Sequence, residues 1–214
     1  MAERVAIVAG ASGLVGRAIL NGLLDDPGVA AAHALGRRAL SLKHPKLSVH
    51  VVDFEALPAL PSATELYLAL GTTIKDAGSP AAFRAVDFDA NLAVAKAAAL
   101  AGVSRVGLVS ALGAEARSRV FYSRVKGELE QELAKMPFAG LVIARPSLLV
   151  GSREDLGQRS RRGEELGFAV GRLFGFLIPA NYKPIPATDV AAALLAAVPT
   201  AAGQRVLLSG AMRR

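Results

Sequence analysis

Cysteine and tryptophan are both missing from this 214-residue sequence. Without cysteine there are no disulfides, no thiolate metal ligands and no cysteine nucleophile. The three histidines, His33, His44 and His50, are scattered without the spacing of a zinc site, so no metal is expected. Aromatic residues make up 5% and do not interleave with basic ones, which argues against a surface for single-stranded nucleic acid. No apolar stretch reaches membrane-spanning length, and the run from Phe168 to Pro179 is short and broken by Arg172. The first apolar run is interrupted by glycines within a few residues, unlike a signal peptide. These absences lead to the expectation of a soluble, cytoplasmic protein.

What is present describes a folded enzyme-sized domain. Hydrophobic residues are 52% and charged residues 20%, enough apolar material for a core and too little charge for global disorder. The length fits a single domain over residues 1–214, with about 151–185 contributing a small C-terminal cap. The net charge of +7 and pI of 10.1 favour an anionic partner, and a phosphorylated small molecule is more economical than nucleic acid or acidic lipid.

One stretch organises the rest. Val5-Ala6-Ile7-Val8 is a continuous apolar run that leads into Gly10, Gly13 and Gly16, followed by the helix-compatible residues Ala18, Ile19, Leu20, Leu23 and Leu24. Strand, tight glycine turn and helix in this order aim free backbone N–H groups at a phosphate. Gly10 turns the chain, Gly13 allows backbone to approach a pyrophosphate, and Gly16 lets the helix pack close to the strand. Ser12 adds a hydroxyl beside Leu14 and Val15, which open the helix. The spacing is G-x-x-G-x-x-G rather than G-x-G-x-x-G.

Strand-like and helix-like segments then alternate. Strands are expected at Val5–Ala9, Ala32–Gly36, Leu47–Asp53, Glu65–Leu70, Arg105–Ser110, Leu141–Arg145 and Val206–Leu208. Helices are expected at Leu14–Leu24, Ala81–Ala101, Arg119–Lys135, Glu164–Leu177 and Thr188–Val198, the last opened by capping from Thr188 and Asp189. Arg159–Gly163 reads as a charged surface loop, and Tyr182–Pro186 as extended chain. Short connections and uninterrupted apolar runs describe an α/β fold, a doubly wound, mostly parallel sheet covered on both faces.

A dinucleotide fold places the residue that reads the ribose just after the second strand, about twenty residues past the glycines. Here that position is Arg37-Arg38, two cations suited to a 2′-phosphate, so NADP is favoured over NAD. Asp53-Phe54 closes the third strand, where the carboxylate can receive the adenine amino group. Ser110 closes the fifth strand at the carboxyl edge, where ligands bind in open parallel sheets. Tyr122 and Lys126 follow four residues apart on one helix face. A neighbouring ammonium favours phenolate, which brings a tyrosine towards general acid–base work. Lys126 can also orient the nicotinamide ribose, and Ser110 can hold a substrate carbonyl oxygen.

The glycine stretch together with Tyr122-x-x-x-Lys126 resembles the short-chain dehydrogenase/reductase superfamily, in its atypical and extended branch. Leu70-Gly71-Thr72-Thr73, Phe83-Arg84-x-Val86-Asp87, Val109-Ser110-x-x-Gly113-Ala114 and Val125-Lys126-Gly127-Glu128 are similar to the Tat-interacting-protein-like subgroup. That resemblance implies an NAD(P)-binding Rossmann domain with a small C-terminal cap. It implies that Leu70 and Gly71 border the cofactor, and that Pro146, Ser147 and Leu148 line its nicotinamide end. Two positions depart from the pattern: Ala111 stands where relatives carry Ser or Thr, and Asp87 where they carry Asn. The chain has little room after Gly151 for the larger sugar-binding domain of nucleotide-sugar epimerases.

The expected function is therefore an NADP-dependent oxidoreductase acting on a small carbonyl or alcohol, with Tyr122 as acid/base, Lys126 beside it and Ser110 orienting the substrate. The alternative is an NADP-binding regulatory or redox-sensing module read by a protein partner. A third reading, nucleic-acid binding through the basic surface, predicts steeply salt-dependent association.

Overall fold

The computed structural model describes residues 3–150 and 179–213. Its strands are β1 (Arg4–Ala9), β2 (Val29–Gly36), β3 (Leu47–Val51), β4 (Glu65–Leu68), β5 (Arg105–Val109), β6 (Gly140–Arg145), β7 (Leu149–Val150), β8 (Ile185–Pro186) and β9 (Gly203–Leu208). Its helices are α1 (Leu14–Asp25), α2 (Ile74–Ala77), α3 (Pro80–Arg84), α4 (Asn91–Leu100), α5 (Phe121–Ala134), α6 (Ala187–Ala197) and α7 (Ser209–Met212). A π-helical turn, Ala85–Ala90, joins α3 to α4.

Seven strands form one parallel sheet in the order β3-β2-β1-β4-β5-β6-β9. The order reverses direction at β1, whose neighbours are β2 on one side and β4 on the other. In open sheets of this type the carboxyl ends of the two strands flanking that reversal splay their loops apart and leave a crevice for a ligand. The doubly wound parallel sheet expected from the sequence is the observed one.

Both faces of the central strands are covered, which explains their unbroken apolar runs. Ala6 and Val8 of β1, Tyr67 of β4 and Val142 and Ala144 of β6 pack with Ile19, Leu20 and Leu23 of α1 and Val190, Ala191 and Leu194 of α6. The alternate residues, Ile7, Ala9, Leu66, Leu68, Leu141 and Ile143, pack with Val94, Ala95 and Ala98 of α4 and Leu129 and Leu133 of α5. Period-2 alternation thus sends successive apolar residues into two separate cores. Contact between α1 and α6 is close: a Cβ on Gly22 would lie 2.4 Å from Leu195 Cδ1. At the amino edge of the sheet Arg4 bridges buried Glu65 (2.7 Å) and Asp26 (2.6 Å), knitting β1, β4 and the end of α1 together.

Three local expectations need correction. The helix expected at Ala81–Ala101 starts one residue earlier, at Pro80 behind the Ser79 cap, and is interrupted by the π-helical turn. Helix α6 starts at Ala187 after Pro186 with no side-chain cap, because β8 delivers the chain into it directly; Thr188 and Asp189 lie inside its first turn. Strand β9 begins at Gly203 rather than Val206, since its first residues lie exposed on the edge of the sheet and carry no apolar signal. The expected loop Arg159–Gly163, the helix Glu164–Leu177 and most of the cap at about 151–185 lie outside the described residues.

Candidate functional site

The β1–α1 turn is built by two glycines that accept no side chain. Gly10 has φ +90°, and a Cβ there would lie 2.5 Å from Ala69 O at the end of β4. A Cβ on Gly16 would lie 2.1 Å from Gly10 O. The turn therefore folds back on its own helix and sits against the neighbouring strand. Gly13 is the N-cap of α1 and leaves the first turn with no side-chain cap, and no acidic residue stands in that turn. The free N–H groups and the positive end of the helix dipole together favour an anion.

This turn opens into a cleft of about 600 Å³ at the carboxyl ends of the strands. Gly10, Ser12, Gly13, Leu14 and Val15 line it, whereas Gly16 supports the turn from outside. After β2, exposed Arg37 and Arg38 line the same cleft, and neither forms an ion pair among the described residues. Asp53 and Phe54 follow β3 into it; Asp53 Oδ1 accepts from Glu55 N at 2.9 Å, and Phe54 packs onto the core below. Leu70 and Gly71 border it after β4, joined by Thr72 and Thr73.

Helix α5 brings in the proton chemistry. Tyr122 and Lys126 line the cleft one turn apart. The Tyr122 ring packs on Phe83, with centroids 5.4 Å apart, which leaves its hydroxyl as the only polar part of a well-held side chain. Lys126 is buried, with Nζ 2.8 Å from Asp87 Oδ1. Gly127 lets the loop after β5 lie directly on this helix, because a Cβ there would meet Ala116 N at 2.2 Å.

Ser110 lines the cleft but is buried, and its hydroxyl donates to Glu130 Oε1. Glu130 also binds Arg145 at 2.5 Å, a contact whose hydrogen bonding holds the Arg145 guanidinium above its ordinary pKa. Glu130 was not singled out from the sequence. The signal was there: Tyr122, Lys126 and Glu130 recur every four residues, one face of α5. Thr72, Thr73 and Leu149 also line the cleft without having been expected.

Pro146, Ser147 and Leu148 are placed elsewhere among the described residues. Ser147 N donates to Ser209 Oγ at 2.8 Å and Ser147 Oγ to Lys183 O at 2.5 Å, while Leu148 is exposed. These bonds fasten the chain after β6 to the C-terminal segment. No cluster of three or more metal-ligating side chains occurs among the described residues, and no helix among them is long and apolar enough to cross a membrane.

No protein-family model matches the chain. Protein FMP52-1, mitochondrial, of Scheffersomyces stipitis is 36% identical over 155 residues, which cover 70% of this chain and 69% of that protein. Protein FMP52, mitochondrial, of Candida albicans is 31% identical over 192 residues, 86% of this chain and 82% of that protein. The chain belongs to the FMP52 family. Among solved structures, MoeE5 in complex with UDP-glucose and NAD superposes with a TM-score of 0.69 at 15% identity, over 96% of this chain and 76% of that one. The chain thus shares the Rossmann-type α/β fold of that structure, the fold the motifs implied. The FMP52 names also overturn the expectation of a cytoplasmic protein, since both relatives are mitochondrial by name. Composition and the lack of a signal-peptide pattern say nothing about a compartment other than the secretory one.

Proposed function

We propose that this chain is an NADP-dependent oxidoreductase of short-chain dehydrogenase/reductase type, acting on a small carbonyl or alcohol. One cleft carries the reading: it is lined by an uncapped helix N-terminus, two arginines that form no ion pair among the described residues, and the Tyr122–Lys126 pair. The first two suit a phosphorylated dinucleotide and the third suits proton transfer. A solved structure of the same fold that holds NAD supports a nicotinamide cofactor in general.

When bound, the nicotinamide supplies or takes up the hydride. The α1 N–H groups from Gly13 onward hold the pyrophosphate, with the Ser12 hydroxyl beside them. Arg37 and Arg38 would pair with the 2′-phosphate, and Asp53 would accept from the adenine amino group. Leu70 and Gly71 let the backbone border the ligand. Tyr122 gives a proton to the substrate oxygen, or takes it from the alcohol, and Lys126 holds the ribose.

Ser110 enters this scheme with a constraint. Its hydrogen is donated to Glu130, so it offers a substrate oxygen no hydrogen bond while that contact stands. Ser110→Ala is therefore expected to lower kcat/KM by less than about tenfold, against the roughly 10²–10³ of a dedicated oxyanion donor. Steady-state kinetics on any carbonyl the wild type reduces measures this, and a loss above a hundredfold would restore Ser110 as the donor.

The test of the cofactor is a fluorescence titration with NADPH and NADH. The wild type is expected to prefer NADPH, and Arg37→Ala/Arg38→Ala to weaken NADPH by about 10²-fold while leaving NADH nearly unchanged, since each charge-assisted pair is worth about 1.5–3 kcal/mol. Equal loss for both nucleotides would place the arginines away from the 2′-phosphate.

A second reading draws on the committed Ser110 hydrogen and the apolar Ala111 beside it. An NADP-sensing module read by a protein partner needs the cofactor cleft and no substrate donor. NADPH binding without turnover across a carbonyl panel favours that reading.

A further inference from the structure

Asp87 lies in the π-helical turn Ala85–Ala90 and is fully buried. Its two oxygens reach different elements. Oδ1 lies 2.8 Å from Lys126 Nζ on α5, and Oδ2 accepts from Thr72 N at 2.8 Å in the loop after β4. No charged side chain other than Lys126 pairs with it among the described residues.

The turn that carries Asp87 is itself fastened. A π turn holds more residues than an α turn and shifts the angular phase of the side chains that follow. Buried Asn91 pins it, its amide donating to Val86 O at 3.1 Å, Asp87 O at 3.3 Å and Leu70 O at 3.3 Å. The last bond ties the turn to the chain just after β4. Neither charge of the Asp87–Lys126 pair is stable alone in such a setting.

We propose that Asp87 is a positioning residue that fixes Lys126 and the Gly71–Thr72 loop as one unit beside the cofactor, and that the π-helical turn is the device that delivers it. The functional part of this rests on the dinucleotide reading of the cleft given above. Lys126 cannot leave its place at the cleft wall without abandoning its only counter-charge among the described residues. The Thr72 backbone cannot shift without breaking a bond to the same carboxylate. Two substitutions separate the jobs: Asp87→Asn keeps an acceptor for Thr72 N and removes the charge that holds Lys126, whereas Asp87→Ala removes both.

The test uses the full chain and begins without any nucleotide. Competitive acylation with acetic anhydride, read by peptide mass spectrometry, compares Lys126 with exposed Lys135. In the wild type Lys126 is expected to react at least about tenfold more slowly, and in Asp87→Asn to lose most of that protection. Hydrogen exchange at Thr72 is expected to stay slow in Asp87→Asn and to become fast in Asp87→Ala. In NADPH titrations, Asp87→Asn is expected to cost about tenfold in affinity and to add nothing on top of Lys126→Met, the signature of one residue acting through the other.

Lys126 labelled as fast as Lys135 in the wild type overturns the proposal with no variant needed. So does unchanged Lys126 labelling in Asp87→Asn, or additive losses of NADPH affinity. If the wild type binds neither nucleotide, the cofactor reading falls, while acylation and exchange still decide the role of Asp87.

Discussion

Replacing Tyr122 by phenylalanine is expected to lower turnover of a carbonyl substrate by ~10²–10⁴-fold while changing NADPH affinity by no more than about twofold. The substitution removes one oxygen and keeps the ring that packs on buried Phe83, so neither fold nor cleft shape changes. Lys126 keeps its ion pair with Asp87 because that contact does not involve the phenol. What disappears is the only phenolic hydroxyl lining the cleft among the described residues. Stopped-flow NADPH oxidation, with fluorescence titration of the same preparation, reads both halves. Turnover kept within tenfold of wild type would assign the proton to another group and sink the acid–base role of Tyr122.

The glycine turn gives a second large effect, and it divides by position. Gly10→Ala is expected to destabilise the protein by roughly 2–6 kcal/mol, the sum of a strained positive φ and overpacking against Ala69 O. That is a large part of the stability of an ordinary domain, so a urea melt should show a much earlier midpoint. Gly13→Ala is expected to behave in the opposite way. Its Cβ would meet only Gly10 O, at 3.4 Å, and its backbone is extended rather than left-handed. Stability should fall by less than about 1 kcal/mol, the scale of an N-cap exchange. On the proposed reading NADPH affinity should nevertheless fall at least about tenfold, because the methyl would stand where the proposed pyrophosphate approaches the backbone. Full NADPH affinity in Gly13→Ala would move the phosphates away from this turn.

Strands β1, β5 and β6 were legible because burial on both faces writes itself as an unbroken apolar run. The edge strand β9 was legible only where Val206, Leu207 and Leu208 begin, since exposed residues on an edge need no hydrophobicity. The π-helical turn could not be read from Ala85 to Ala90; it is accompanied by bonds from the Asn91 amide to Val86 O and Asp87 O within the helix and to Leu70 O after β4. Much of the cleft could be read from register: the glycine turn, Arg37–Arg38, Asp53–Phe54 and Tyr122–Lys126 follow strand ends or lie on the helix after one, and Leu70–Gly71 came from the resemblance; residues of each line it. Pro146–Leu148 also follow a strand end but do not line the cleft, and Ser147 is bonded instead to Ser209 and Lys183, 62 and 36 residues further on. Register finds the loops at the edge of a sheet; only long-range hydrogen bonds decide which of them face inward.

Helix α1 has its apolar face covered by α6, and Gly22 lets Leu195 come close enough to interlock with it. The glycine turn precedes α1 directly, but the helix that covers α1 begins only at residue 187. During synthesis, then, α1 emerges well before the helix that seals it. Until α6 arrives, Ile19, Leu20 and Leu23 lie open on a half-built sheet, as a surface for a chaperone or for aggregation. A ribosome-bound chain stopped before residue 187 would carry a complete glycine turn on a helix with no cover.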